Sequence, residues 1–261
     1  TMEELIDRTP ADGLIAGLAH INGDTFADEH SRAMVMSYDY TVLAGTQGFN
    51  NHHKKDRMFA LTAEMKLPLV IFAEGGGGRP GDTDKFFSAD LHIPAFSLFA
   101  KLSGLVPMVG ITTGRCFAGN AVLLGCCDVV IATEGSNIGM GGPAMVEGGG
   151  LGVYTPDEVG PMDVQTASGV VDIAVKDEAE AVAVAKKYLS YFQGATSDWT
   201  TRDQRWLRRA IPENRLRVYE VREVIETLAD EDSVLEIRKD FGQCMITSFA
   251  RIEGRPIGIV A

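Results

Sequence analysis

Two glycine-rich segments of this sequence are suited to chemistry on an oxygen anion. Residues 74–81 read Glu-Gly-Gly-Gly-Gly-Arg-Pro-Gly, and residues 114–121 read Gly-Arg-Cys-Phe-Ala-Gly-Asn-Ala. Glycine leaves the backbone N–H unshielded, so a substrate oxygen can approach it closely. Each segment directly follows an apolar run typical of a buried strand. Taken alone, the first segment is equally compatible with a flexible loop or a tight turn.

Neither segment is a nucleotide-binding loop. The first has no Gly-Lys-Ser/Thr after its glycines, and no predicted helix opens with G-x-G-x-x-G. In the second segment, Ala118 and Gly119 precede an apolar helix, whose first N–H groups favour developing negative charge. Two glycine turns that follow neighbouring parallel strands can face one another. The predicted result is an oxyanion hole for a thioester enolate.

Strands and helices must alternate along the chain to position these segments. Apolar runs predict a strand pair early in the chain and buried strands later, over residues 14–21, 33–40, 68–73, 107–113 and 128–133. Helical spacing is predicted for residues 50–65, 96–105, 118–126, 177–192 and 218–228, with Met58, Leu61 and Met65 on one face of the first of these helices. Residues 139–169 are predicted to form loops and short helices. This order indicates an α/β fold around a mostly parallel sheet.

Bulk composition excludes several classes of protein. The chain has 261 residues and a net charge of −12, which argues against nucleic-acid binding because phosphate neutralisation needs clustered Lys and Arg. Its apolar runs are far shorter than the ~20 residues of a membrane-spanning helix. The N-terminus lacks a secretory pattern, so we expect a cytoplasmic protein. The four cysteines have neither the spacing nor the histidine partners of a metal site, and no metal is expected.

Several spaced motifs resemble the crotonase superfamily and, within it, the N-terminal half of the carboxyltransferase of biotin-dependent acyl-CoA carboxylases. The motifs are PLVIFAEGGGGRPGDTD, GLVPMVGITTGRCFAGNAVLLGCCDVVIATEGSNIGMGGPAM, DYTVLAGTQGFNNHHKKDRM and FARIEGRPIGIVA. The resemblance covers nearly the whole chain. It implies a crotonase-like ββα spiral, with a mostly parallel sheet and flanking helices.

The resemblance also implies how the chain divides. Residues 1–194 are expected to be the crotonase-like core, and residues 195–242 a linker with a helical extension. Residues 243–261 are expected to be the first hairpin of a second, C-terminal carboxyltransferase half. Because a strand pair at a terminus leaves a sheet unfinished, we expect the chain to be part of a longer polypeptide.

The family's oxyanion loops fall on named positions of this sequence. The first loop, typically Gly-Gly-Ala-Arg, falls on residues 76–79, and the second, typically Gly-Gly-Ala, falls on residues 118–120, where it departs at two places. The resemblance implies these catalytic residues: Gly77, Gly78, Ala118 and Gly119. It implies these residues for binding acyl-CoA: Lys54, Gly76, Arg79 and Asn120. A solvated helix face for Lys54, an ion pair for Arg79 and a packing role for Gly119 are the structural alternatives.

The implied function is carboxyl transfer to an acyl-CoA. Hydratases of the superfamily carry a glutamate at the position of Val122 and a second one near Gly142-Pro143, and this sequence has neither carboxylate. The resemblance implies biotin on a separate carrier domain or protein, a biotin carboxylase component and a homo-oligomer. The alternatives are another crotonase-type acyl-CoA enzyme (a hydratase, isomerase or hydrolase) and a non-catalytic assembly module. Incubation with crotonyl-CoA separates a carboxyltransferase from a hydratase of the superfamily. A CoA-binding measurement separates both enzymes from an assembly module.

Overall fold

The strands predicted from apolar runs form the centre of the molecule. A computed structural model describes residues 2–79, 81 and 93–261. Its strands are β1 (Leu14–His20), β2 (Arg32–Tyr38), β3 (Leu69–Phe72), β4 (Met108–Thr112), β5 (Arg115–Phe117), β6 (Val129–Thr133), β7 (Asn137–Gly139), β8 (Ile173–Val175), β9 (Leu235–Ile237), β10 (Thr247–Ile252) and β11 (Arg255–Val260).

Helices connect and flank these strands. The α-helices are α1 (Met2–Arg8), α2 (Asp28–Ser31), α3 (Phe49–Met65), α4 (Pro94–Ala100), α5 (Gly119–Gly125), α6 (Pro143–Gly148), α7 (Met162–Ala167), α8 (Glu178–Ser190), α9 (Leu207–Ala210) and α10 (Val221–Leu228). Short 3₁₀ turns occupy Pro10–Gly13, Leu43–Gly45, Pro156–Glu158 and Gln204–Trp206. No helix of the described residues is both long and apolar enough to cross a membrane.

The central sheet has the strand order β1-β2-β3-β4-β6-β8. β1 pairs with β2 in antiparallel fashion, and the other neighbours are parallel. Every residue of β4 and β6 is buried, which explains why these strands read as continuous apolar runs instead of alternating patterns. The predicted mostly parallel sheet with flanking helices is therefore confirmed.

Helices cover both faces of this sheet. On one face α3, α4 and α5 contribute a core in which the Phe59 and Phe99 ring centroids lie 4.7 Å apart. On the other face α8 packs Ala185 and Tyr188 against Val109 and its neighbours in the sheet. The two glycine-rich segments begin at the carboxyl ends of β3 and β4.

The buried side of α3 differs from the side that apolar spacing suggested. Its fully buried residues are Asn51, Lys55, Phe59 and Thr62, which recur at helical spacing. Met58 and Leu61 only flank the core, and Met65 is 43% exposed. The helix buries a largely polar stripe because that stripe faces polar groups at the end of the sheet. A hydrophobic pattern does not reveal such a stripe.

The C-terminal segment forms a second, antiparallel sheet with the order β11-β10-β9. The predicted terminal hairpin is confirmed, since β10 pairs with β11 from Thr247 to Val260. Phe249 of β10 stacks on Tyr191 at 5.4 Å, and the Arg251 guanidinium donates to the carbonyls of Ser190 and Gly194. The division of the chain at residues 194 and 242 stays a prediction.

Two elements near the glycine segments differ from the sequence-based expectation. The predicted helix over 96–105 begins at Pro94 and ends at Ala100. The second glycine segment contains a strand, β5, which pairs in parallel with β7. Neither three-residue strand has an apolar run long enough to indicate it, yet together they hold the second glycine segment beside the first.

Candidate oxyanion site

The first glycine segment is fixed by backbone hydrogen bonds on two sides. On one side the Gly75 N–H donates to Arg115 O at 2.9 Å, and the Phe117 N–H donates to Gly75 O at 2.8 Å. On the other side the Gly76 N–H donates to Ala44 O at 3.1 Å. The segment is therefore an ordered strand-like turn rather than the flexible loop that four glycines alone would also allow.

Close approach of backbone explains two of the glycines. A Cβ on Gly75 would lie 2.2 Å from the carbonyl oxygen of Gly45. A Cβ on Gly77 would lie 2.6 Å from the Ala118 Cβ and 3.3 Å from the Gly119 nitrogen, and Gly77 also has a φ of +88°. Glycine is required at both positions. The same distances show that the two predicted loops lie side by side.

The Gly78 N–H points away from the protein's own acceptors. The Gln47 N–H donates to Gly77 O at 2.7 Å, and the Arg79 N–H donates to Gln47 O at 3.0 Å. Because the peptide between Gly77 and Gly78 is planar and trans, the Gly78 N–H points opposite to Gly77 O, away from Gln47. Gly78 is exposed and its N–H has no hydrogen-bond acceptor among the described residues.

The second loop supplies a comparable donor at the start of α5. Gly119 is the first residue of this helix, so its N–H has no intrahelical acceptor. No other described group accepts from it. The preceding Ala118 N–H, by contrast, donates to Gly139 O at 3.0 Å, which ties the loop to β7.

The structure thus divides the four predicted catalytic residues into two pairs. Gly78 and Gly119 offer amides that point to no described acceptor. The amides of Gly77 and Ala118 are engaged, the first by the Asn120 Oδ1 atom at 3.0 Å and the second by Gly139. Gly77 and Ala118 shape the loops, while Gly78 and Gly119 are the candidate donors to a substrate oxygen.

Asn120 is buried and serves the loops directly. Its Oδ1 atom accepts from the Gly77 N–H and from the Gln47 Nε2 atom, both at 3.0 Å. Its Nδ2 atom donates to Glu74 O at 3.2 Å and to Gly45 O at 3.4 Å. The amide side chain therefore connects both glycine loops with the turn before α3. Direct contact of Asn120 with acyl-CoA stays a prediction.

Two buried residues behind Asn120 were missed by the sequence reasoning. Gln47 is 1% exposed and Lys55 is fully buried, and the Lys55 Nζ atom donates to the Gln47 Oε1 atom at 2.7 Å. Burial lowers the pKa of Lys55 to about 7. The only available signal was the polar spacing on α3, because Gln47 lies in a turn without periodicity.

Arg79 forms a buried ion pair with Asp12. The guanidinium contacts the Asp12 Oδ1 atom and donates to Thr46 O at 3.0 Å, and both charged side chains are nearly inaccessible. Asp12 also accepts from the Asn51 N–H at 2.6 Å. The ion-pair alternative for Arg79 is thus present in the structure, and contact with acyl-CoA stays a prediction. The sequence reasoning did not identify Asp12.

Lys54 lies on the same side of α3 as this ion pair. Its Nζ atom donates to Ala11 O at 3.3 Å and to the carbonyl oxygen of Leu14. The Lys54 residue is only partly buried. Lys54 holds the turn before β1 in place, and its contact with a CoA phosphate stays a prediction.

The titratable groups beside the loops do not form an acid–base pair. The Glu74 carboxylate accepts from the hydroxyl of Thr113 at 2.8 Å and from its N–H. Burial lowers the pKa of His52 to about 4, so this imidazole is neutral at pH 7. No three His, Cys, Asp or Glu side chains cluster as metal ligands within residues 2–79 and 93–261.

Ala118 adopts a backbone conformation that favours glycine. Its φ is +51° and its ψ is −124°, which costs an alanine ~1–3 kcal/mol. Ala118→Gly is expected to raise the free energy of unfolding by about 1 kcal/mol, since relief of this strain exceeds the ~0.4–1 kcal/mol of unfolded-state entropy that glycine adds. Denaturant unfolding measures this difference.

Ala121→Gly in the same short helix is the matched control. Ala121 lies inside α5 and is buried, so glycine there is expected to lower the free energy of unfolding by about 1 kcal/mol. Equal destabilisation by the two substitutions would contradict the strain at Ala118.

Comparison with known proteins places the whole chain in one group. Residues 1–261 match the family model described as "Carboxyl transferase domain". Uncharacterized carboxylase YngE of Bacillus subtilis is 30% identical over 99% of the chain and 52% of its own length. The methylmalonyl-CoA carboxyltransferase 12S subunit of Propionibacterium freudenreichii subsp. shermanii is 28% identical over 97% of the chain and 48% of its own length.

Solved structures give the same grouping. A single-chain, multi-domain long-chain acyl-CoA carboxylase superimposes with a TM-score of 0.96 at 55% identity, over 100% of this chain and 26% of that one. The transcarboxylase 12S hexamer gives a TM-score of 0.82 at 27% identity, over 96% of this chain and 49% of that one. The chain spans about half the length of the curated relatives it matches.

Proposed function

The chain belongs to the carboxyl transferase domain family, and from this membership we propose that it binds an acyl-CoA and stabilises the thioester enolate for carboxyl transfer. The superpositions confirm the predicted crotonase-like fold. Curated relatives that match almost the whole chain are beta subunits of acyl-CoA carboxylases and a carboxyltransferase, which supports the same role for the protein that contains this chain.

One observation carries the proposal: the amides of Gly78 and Gly119 lie on adjacent loops and have no described acceptor. When the α-proton leaves an acyl thioester, negative charge develops on the thioester oxygen. Two fixed N–H donors stabilise that charge without reorganising in the transition state. The first turn of α5 adds the favourable end of its peptide dipoles.

The residues around this pair do not favour hydration. Val122 and Gly142-Pro143 occupy the positions where hydratases of the superfamily carry glutamates, and Glu74 is engaged by Thr113. Without a positioned carboxylate, addition of water to an enoyl thioester has no acid–base agent. The ordered, unengaged donor pair equally argues against a purely structural assembly module.

Biotin would supply the carboxyl group and a ureido nitrogen able to take the α-proton. One pair of donors serves one carbonyl oxygen, and we assign the pair described here to the thioester. Biotin is proposed to arrive on a separate carrier domain or protein, charged by a biotin carboxylase component, and to bind donors of a C-terminal carboxyltransferase half.

Long-chain acyl-CoA is the substrate class we propose. The relative with 55% identity is described as a long-chain acyl-CoA carboxylase, whereas the 12S subunit, which is named a methylmalonyl-CoA carboxyltransferase, is only 28% identical. A cytoplasmic location and self-association are also proposed, the latter because the 12S relative assembles as a hexamer.

Calorimetry with this chain and carboxylation assays with the full-length protein test the proposal. The chain is expected to bind palmitoyl-CoA more tightly than propionyl-CoA, and to carboxylate neither measurably when supplied with carboxybiotin. The full-length protein is expected to carboxylate both. Hydration of crotonyl-CoA at a rate comparable to carboxylation would establish the hydratase alternative, and failure to bind any CoA ester would leave the assembly module. Equal carboxylation by the chain and the full-length protein would show that the biotin site is complete within these residues.

A further inference from the structure

A continuous chain of buried hydrogen bonds runs from α3 to the first glycine loop. The Lys55 Nζ atom donates to the Tyr38 hydroxyl at 3.2 Å and to the Gln47 Oε1 atom at 2.7 Å. The Gln47 Nε2 atom donates to the Asn120 Oδ1 atom at 3.0 Å, and that oxygen accepts from the Gly77 N–H at 3.0 Å. All four side chains are less than 5% exposed.

Lys55, at one end of this series of hydrogen bonds, determines which atom of each amide donates and which accepts. In its protonated form the Lys55 amine has three donors and no acceptor, so it selects the oxygen of the Gln47 amide. The nitrogen of the Gln47 amide is then the only end left for Asn120, and it selects the Asn120 oxygen. That oxygen is consequently also the group that meets the Gly77 N–H, while the Asn120 nitrogen donates to Glu74 O.

Gln47 therefore holds the catalytic peptide in two ways. Its backbone N–H binds Gly77 O, which fixes the peptide that contains the Gly78 N–H. Its side chain fixes the preceding peptide through Asn120. Together these contacts determine both ends of Gly77, a residue whose φ of +88° leaves it otherwise free to rotate.

We propose that Lys55 is a positioning residue, which acts through Gln47 and Asn120 to aim the Gly78 N–H at the substrate oxygen. The inference rests on the proposed function for its catalytic consequence, and on the hydrogen-bond geometry alone for its structural one. Lys55 is fully buried and Gln47 is 1% exposed, so neither side chain is accessible to a substrate, and both act through Asn120 and Gly77.

The cost of placing a lysine here supports a role beyond stability. Lys55 makes no ion pair with a described carboxylate, and burial lowers its pKa, with Asp56 offsetting part of that effect. A buried amine with this environment destabilises the fold relative to an apolar side chain of similar length.

Gln47→Glu in the full-length protein is the sharpest test. The substitution keeps the side-chain shape, the backbone N–H and the acceptor for Lys55, but it removes the donor to Asn120. Two oxygens would then face each other, so Asn120 must turn its Nδ2 atom toward residue 47 and away from its present acceptors, and it no longer accepts from Gly77. We expect kcat to fall about 10- to 100-fold with KM changed less than about threefold, because a misplaced donor weakens mainly the transition state.

Hydrogen exchange provides a readout that does not depend on activity. In Gln47→Glu the Gly77 amide is expected to exchange faster in a peptide that spans residues 74–79, while Gly75 and Gly76 keep their protection. If the Gly77 amide exchanges faster in Gln47→Glu but the wild-type protein carboxylates no acyl-CoA, the positioning role of these hydrogen bonds is supported and the proposed function is rejected. Wild-type exchange together with wild-type kcat would overturn the positioning role.

Gln193→Glu is the matched control. Gln193 is 5% exposed and its Nε2 atom, like that of Gln47, donates within the protein, here to the carbonyls of Ile21 and His30, but it lies beside α8 and away from the loops. Its substitution is expected to leave kcat and the exchange of residues 74–79 at wild-type values. If both Gln47→Glu and Gln193→Glu lower the melting temperature and neither changes kcat, the hydrogen bonds of Gln47 only stabilise the fold and the proposal fails.

Lys55→Met provides the second test variant. It is expected to lower kcat in the same direction, while removal of the costly buried amine and loss of the partner of the Gln47 Oε1 atom act in opposite directions on the melting temperature. A rise in KM at constant kcat, or a fall in melting temperature at constant kcat, would overturn the positioning role.

Discussion

Replacing Gly78 by proline is expected to lower kcat for acyl-CoA carboxylation by about 100- to 1000-fold. Proline removes a single N–H, and loss of one oxyanion donor typically costs this much. The N–H has no described acceptor, so no internal hydrogen bond is lost with it. The φ of Gly78 lies outside the left-handed region and the residue is exposed. Steady-state kinetics of the full-length protein, with a thermal melt to verify folding, measures the effect.

Gly78→Ala is the matched variant for this experiment. It retains the N–H and introduces the residue that the carboxyltransferase family typically has at this position. The expected loss in kcat stays below about tenfold, and KM changes little in either variant because the donor acts mainly in the transition state. Similar kcat values for the proline and alanine variants would show that the Gly78 N–H does not contact the reacting oxygen.

Arg79→Ala is expected to lower the free energy of unfolding by about 3–5 kcal/mol. The substitution leaves the Asp12 carboxylate largely buried without its cationic partner, and removing one member of a buried pair typically costs this much. The loss is transmitted to the site, because Arg79 follows the glycine loop directly and Asp12 holds the start of α3 through Asn51. Denaturant unfolding of the chain measures the change.

Arg115→Ala provides the control for that result. Arg115 pairs with Asp157 at 3.1 Å, but the two side chains are 42% and 79% exposed. An exposed pair contributes ~1 kcal/mol or less, so the expected change is small. If Arg79→Ala costs no more than Arg115→Ala, the Asp12–Arg79 pair is not what anchors the loop.

Local patterns in the sequence were sufficient where one segment decides its own structure. The buried strands β3, β4 and β6 were predicted because strands covered on both faces read as unbroken apolar runs. α8 was predicted from its amphipathic spacing and its acidic start, which suits the helix dipole. In the structure Asp177 caps it, accepting from the Glu180 N–H at 2.9 Å. The glycine segments were found because strand, turn and helix follow each other in order.

Patterns were insufficient where a residue's partner lies far away in sequence. The polar stripe on α3 reads as a solvated face, yet Lys55 is buried against Gln47 and Tyr38. The pairing of β5 with β7 joins two three-residue strands about twenty residues apart, and neither carries a periodic signal. Asp12 lies 67 positions before Arg79, so no local pattern connects them.

The sequence by itself determined the type of fold, the two loops and the kind of chemistry, because these depend on apolar periodicity and on glycines that follow strands. Only the tertiary structure decided which amides are available for that chemistry. The sequence does not distinguish the four successive glycines from one another. The direction of each N–H depends on the acceptors that other segments bring to it. Asn120 engages Gly77, Ala44 engages Gly76, and Gln47 turns the Gly78 N–H outward. Those contacts join segments 30 to 45 residues apart, and they exist only after the chain has folded.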